Sequence, residues 1–96
     1  MTKTKKIKDP KDYANENTID TIKILEALEG ANFEPVPIGR IIERSGVGYD
    51  KCRRVLITLE LLGWAIQNER KEWTVGAKIL RFSNRYSEIC IATLNK

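Results

Sequence analysis

The feature that most constrains the fold is a four-residue break, Ser45-Gly46-Val47-Gly48, between two segments of helical apolar spacing. Before it, Ile38, Ile41 and Ile42 share one face of a helix spanning residues 38–44. After it, Cys52, Val55, Leu56, Leu59 and Leu62 recur at offsets of three and four. That pattern predicts a helix from Tyr49 or Asp50 to Leu62, ended by Gly63. A glycine-containing turn this short holds two helices at a steep angle, which is the helix-turn-helix arrangement.

The flanking segments fill in the rest of the order. A first helix is predicted to begin near Asn17 or Thr18, with Ile19, Ile22, Leu25 and Leu28 facing a core and Gly30 at its end. Two prolines hold residues 33–37 extended, so they supply at most a short edge strand. Trp64-Ala65-Ile66-Gln67 and Glu72-Trp73-Thr74-Val75 read as two strands joined through Asn68-Glu69-Arg70-Lys71. Trp64 and Trp73 are expected to face each other across that hairpin and anchor it on the core. A last helix is predicted over residues 77–94, with Ile79, Phe82, Tyr86, Ile89 and Cys90 as its stripe, widened by Leu80, Ile91 and Leu94.

The expected fold is therefore mainly α with a small β-hairpin: a winged helix-turn-helix with an additional C-terminal helix. Residues 1–15 form a flexible basic tail (Lys3, Lys5, Lys6, Lys8, Lys11), 16–76 the winged domain, and 77–96 a helix for dimerisation. The chain has 96 residues, enough for one core without staples.

Composition narrows the chemistry. Lys plus Arg number 17 against 13 for Asp plus Glu, a net charge of +4 that suits a polyanionic partner. There is no histidine, and the two cysteines, Cys52 and Cys90, cannot complete a four-ligand zinc site. No glycine-rich phosphate loop or activated nucleophile is evident, so neither an enzyme nor a cofactor is expected. No apolar run nears the roughly 20 residues needed to span a bilayer. Such a chain is expected in the cytoplasm, at the nucleoid.

In a helix-turn-helix the second helix enters the major groove of duplex DNA. Setting Cys52 inward and stepping 100° per residue turns Asp50, Arg54 and Ile57 outward, with Arg53 and Thr58 beside them and Tyr49 at the tip. Arginine reads guanine bidentately and an aliphatic side chain meets the thymine methyl. Asp50 is expected chiefly to cap the helix and complement its dipole. The DNA-facing set is Tyr49, Asp50, Lys51, Arg53, Arg54, Ile57 and Thr58, with Arg70 and Lys71 at the wing for phosphate or minor-groove contact.

From Val36 to Phe82 the chain resembles the DNA-binding domain of the IclR family of bacterial and archaeal regulators. The likeness rests on residues 38–45, Gly46-Val47, Arg54-Val55-Leu56 with Leu59, Leu62-Gly63-Trp64, and Trp73-Thr74-Val75-Gly76 with Ile79-Leu80. It implies that residues 49–58 lie in the major groove, that Arg70-Lys71 tips the wing, and that the first and last helices take part in dimerisation. Gly48 and Asp50 stand where that family tends to have proline and serine, and Val36-Pro37 replaces its polar cap. The family's effector domain would follow the last helix, where this sequence ends at Lys96. The helix is therefore expected to pair with its twin, with Ile79, Phe82, Tyr86, Ile89 and Cys90 in the interface and no small-molecule effector. Two other readings use the same fold: a protein–protein module, or a nucleoid architectural protein of low sequence specificity.

Overall fold

The computed structural model describes residues 9–30 and 32–94, with side chains described as far as Cys90. The expectations for Lys3, Lys5, Lys6 and Lys8, and for the side chains of Ile91 and Leu94, lie outside the described residues. A four-residue helix α1 (Pro10–Tyr13) occupies part of the stretch expected to be a tail. Pro10 presets its first turn and the Asp9 carboxylate accepts the Lys11 N–H at 3.0 Å.

Helix α2 (Glu16–Ala27) starts one or two residues earlier than expected, because Asn15 caps it, accepting the Thr18 N–H at 3.1 Å. Its inward face is also different. Ile24, Ala27 and Leu28 are buried, whereas Ile19 and Ile22 turn outward, Ile22 with 48% of its surface exposed. The helix is apolar on more than one side, and the small Ala27 lets it lie closely on the next helix. Gly30 takes the expected left-handed conformation, φ +51°.

Helices α3 (Ile38–Ser45) and α4 (Tyr49–Leu61) flank the predicted turn. Gly46 caps α3 at φ 76°, its N–H donating to the Ile42 carbonyl at 2.8 Å. The buried Ser45 hydroxyl accepts the Val47 N–H at 3.1 Å, so the turn carries its own polar satisfaction. Arg44 donates to the Ala27 carbonyl at 2.9 Å, placing a cation on the C-terminus of α2.

Strands β1 (Val36–Pro37), β2 (Ala65–Gln67) and β3 (Glu72–Val75) form an antiparallel sheet in the order β1-β3-β2. The proline-bearing strand is at the edge, where its missing donor costs nothing. The two tryptophans do not face each other. Trp73 pairs with Gln67 on one side and Val36 on the other, while Ala65 opposes Val75. Trp73 enters the core, and Trp64 instead meets Phe82 with ring centroids 5.9 Å apart.

Ile24, Leu28, Ile41, Cys52 and Leu56 are wholly buried where the three helices meet, and Trp73 and Ala65 close the core from the sheet. Leu62, expected inside, lies just beyond the end of α4 and is half exposed. The last helix, α5 (Ala77–Leu94), has the predicted bounds. Its first turn is fastened to the hairpin base: the Gly76 N–H donates to the Trp64 carbonyl at 2.9 Å and the Lys78 N–H to the Gly63 carbonyl at 3.2 Å. Among the described residues no helix is long and apolar enough to cross a membrane.

Candidate nucleic-acid interface

Burial of Cys52, Leu56 and Leu59 fixes the rotation of α4 as the sequence predicts. Asp50, Arg54 and Ile57 consequently face outward and are exposed. Tyr49, Arg53 and Ile57 lie toward the wing, where they share a cleft with Lys71. Arg54 and Thr58 lie toward α2, lining a groove of about 420 Å³ with Asn17, Thr21 and Lys51. The predicted helix residues thus form one surface with two shoulders.

Two of them have additional commitments. The Lys51 ammonium donates to the Asp20 carboxylate at 2.6 Å, linking α4 to α2. The Thr58 hydroxyl donates back to the Arg54 carbonyl at 2.8 Å, which leaves its oxygen as an acceptor. Asp50 does not cap α4: the cap position is Gly48 and no side chain bonds there. Asp50 sits in the first turn, where its charge complements the helix dipole.

Two cations elsewhere hold the fold, while Lys23, Arg70, Lys71, Arg81 and Arg85 make no side-chain hydrogen bond or ion pair among the described residues. Arg44 binds the Ala27 carbonyl and Lys78 the Leu62 carbonyl. Among the described residues, the guanidinium groups of Arg53 and Arg54 make no hydrogen bond or ion pair within the chain. Charges left uncommitted on one helix face are available to an external anion.

The wing tip is shaped by Asn68. Its side-chain oxygen accepts the N–H groups of Arg70 and Glu72, both at 2.9 Å, and its amide donates to the Glu72 carboxylate at 3.0 Å. Lys71 closes the turn at φ 66°, a left-handed conformation rarely adopted by lysine. Arg70 and Lys71 are both exposed but they border different clefts.

The sequence reasoning missed Leu61, which is 83% exposed one turn beyond Ile57. Helical spacing from Ile57 carried that signal. It also missed Gln67 in the cleft with Arg53, and the structural work of Asn68. On α5, Phe82 and Tyr86 are 68% and 67% exposed, Ile89 is exposed, and Ile79 and Cys90 are half-buried. Cys52 is enclosed in the core, and burial pushes its thiol pKa up. Among the described residues no three His, Cys, Asp or Glu side chains gather into a metal-binding group.

Three packed helices, a glycine turn and a two-stranded ribbon beside the second motif helix define a winged helix-turn-helix protein. The chain belongs to the family of the DprA winged helix domain, whose model matches residues 8–68. That match runs from α1 to the start of the wing tip. In fold, the chain is similar to an IclR transcriptional regulator from Alicyclobacillus acidocaldarius, with a TM-score of 0.73 at 22% identity. The likeness covers 80% of this chain and 31% of that one. It is also similar to HmgR of Pseudomonas aeruginosa, with a TM-score of 0.67 at 24% identity over 74% of this chain and 29% of that one. The chain therefore spans about a third of the length of those structures. No curated protein sequence is significantly similar to it. The IclR-like winged fold expected from the sequence is the fold observed.

Proposed function

We propose that this chain is a sequence-reading, double-stranded DNA-binding protein that works as a dimeric transcriptional regulator. The observation that carries the reading is the outward face of α4, where Arg54 and Ile57 stand exposed and the Arg53 and Arg54 charges are uncommitted. Helix α4 would enter the major groove, with Arg54 aimed at a guanine edge and Ile57 at a thymine methyl. Tyr49 and Thr58 would border the contact, and the wing would lie on the backbone or minor groove. Lys51 would contribute mainly by fixing α4 on α2.

In this reading residues 16–76 are the DNA-binding unit and residues 77–96 the dimerisation element. Ile79, Phe82, Tyr86, Ile89 and Cys90 would pair two copies about a two-fold axis, because large exposed apolar surface usually marks an interface. The activity is binding rather than catalysis, and its place is the compartment that holds DNA, the cytoplasm with its nucleoid. Similarity in fold to a transcriptional regulator supports this assignment.

Selection of bound sequences from a random duplex pool at physiological salt tests it. A palindromic motif with half-sites about one DNA turn apart, roughly 34 Å, is the expected result. Binding without any enriched sequence would replace a regulator by an architectural protein. Absence of binding would remove DNA from the account.

A further inference from the structure

The two wing cations, adjacent in sequence, border different clefts. Beyond the hairpin from α4, Arg70 shares its cleft with Glu69 and Glu72, and also with Pro35, Gln67 and Asn68. Two carboxylates in that lining oppose any incoming anion. On the α4 side, Lys71 borders a cleft of about 400 Å³ that contains no carboxylate. Its apolar lining is Ile38, Ile57 and Trp73, and its polar lining is Tyr49, Arg53, Gln67 and Lys71. The left-handed backbone at Lys71 belongs to this separation, since it turns the chain at the last residue of the tip before β3.

We propose that the cleft between α4 and the wing seats one sugar–phosphate unit of a DNA strand, with its phosphate between Arg53 and Lys71. The assignment rests on the DNA-binding reading and divides its residues by role. The apolar lining suits a deoxyribose. Arginine and lysine together offer charge-assisted donors to phosphate oxygens, and the Tyr49 hydroxyl and Gln67 amide can add neutral ones. Arg53 then anchors the backbone and carries no sequence information, while Arg54, on the other shoulder of α4, is left to read bases. Arg70 takes no part.

Charge-matched variants test this: Arg53→Gln, Lys71→Gln and Arg70→Gln each remove one positive charge from an exposed side chain. Binding of the full chain to a 20-base-pair duplex of shuffled sequence is measured across a salt series, with circular dichroism confirming each fold. Arg53→Gln and Lys71→Gln should each flatten the slope of log K against log salt by part of the ~0.9 that one B-DNA phosphate contributes, and the double variant by about the whole of it. The double variant's deficit relative to wild type should therefore shrink about 3.5-fold between roughly 50 and 200 mM salt, and each single variant's by less. Arg70→Gln should leave the slope at its wild-type value. Equal slopes for Arg70→Gln and Lys71→Gln would overturn the cleft assignment, and so would an unchanged slope for Arg53→Gln. If the wild-type chain binds no duplex at all, the DNA reading falls and this assignment with it; if it binds, only the variants decide.

Discussion

Helices α4 and α5 contrast in how they are held. Helix α4 is fixed by what it buries: Cys52 and Leu56 are wholly enclosed and Leu59 nearly so. Helix α5 is fixed chiefly at its start, by two backbone hydrogen bonds, the Lys78 ammonium on the Leu62 carbonyl and the Trp64–Phe82 ring contact. Beyond that turn its large apolar side chains face solvent. An exposed apolar residue therefore means different things on the two helices. On α4 Ile57 and Leu61 sit among Arg53 and Arg54, with Ile57 and Arg53 beside the wing, whereas on α5 Phe82, Tyr86 and Ile89 follow one another along a stripe, with Arg81 and Arg85 next to it.

The largest expected effect falls on the buried side of this contrast. Leu56→Ala should destabilise the fold by about 2–5 kcal/mol, the usual range for an emptied core site. Chemical denaturation measures it, and a cost near that of a surface substitution would show that α4 is not held by its core. Removing the far part of α5 should do the opposite. The buried core and its close partners run from Ile24 to Val75, so a chain ending at Phe82 should stay folded and become monomeric in sedimentation equilibrium. A folded, still dimeric fragment would take the dimer role away from α5.

Smaller changes probe the open face of α4. Arg54→Ala should weaken binding to the selected site by about 1–3 kcal/mol and relax the preference at one base pair. Equal weakening on shuffled DNA would reassign Arg54 to phosphate. Asp20→Asn should cost at most about 1 kcal/mol of stability, since the Lys51 side chain is 37% exposed and the pair is screened by solvent and salt. A larger loss would make this ion pair a principal link between α2 and α4.

The smallest effect concerns Cys52, which should resist thiol reagents in the native protein because it is buried and its thiol pKa is raised. The unfolded chain releases that proton first, near the usual thiol pKa of about 8.5. This group therefore lowers stability as pH rises past that value and has no effect well below it. Stability that is flat from neutral to strongly alkaline pH in the wild type but changes in Cys52→Ala would contradict the sign.

Periodicity was legible where apolar residues occupied one face. It set the phase of α4 from Cys52, Leu56 and Leu59, and it set both ends of α5. It misled on α2, where Ile19, Ile22, Ile24, Leu25 and Leu28 circle much of the helix and packing against α3 selects among them. The tryptophan register was misread: strands 64–67 and 72–75 joined by a four-residue tip already set Trp64 near Val75, and the Asn68 side chain closes the tip one residue further on, so that Gln67 meets Trp73. The outward face of α4 was readable residue by residue. What each residue does there depends on contacts distant in sequence: Lys51 meets Asp20, and Lys71 shares a cleft with Arg53.

The seam at Gly76 turns α5 into a lever. A Cβ there would overlap the Gly63 carbonyl oxygen, so any larger residue must push the hairpin base and the start of α5 apart. The 18-residue helix is about 27 Å long if straight. A tilt of roughly 10° at its root would swing the far end about 5 Å, more than the ~3.4 Å rise of one base-pair step. In a dimer joined along α5, the two reading heads would then fall out of phase with the helical repeat although every residue facing the DNA was unchanged. A side chain at Gly76 would thus act on spacing, tolerating operators with altered half-site separation while discriminating poorly among those of the original length.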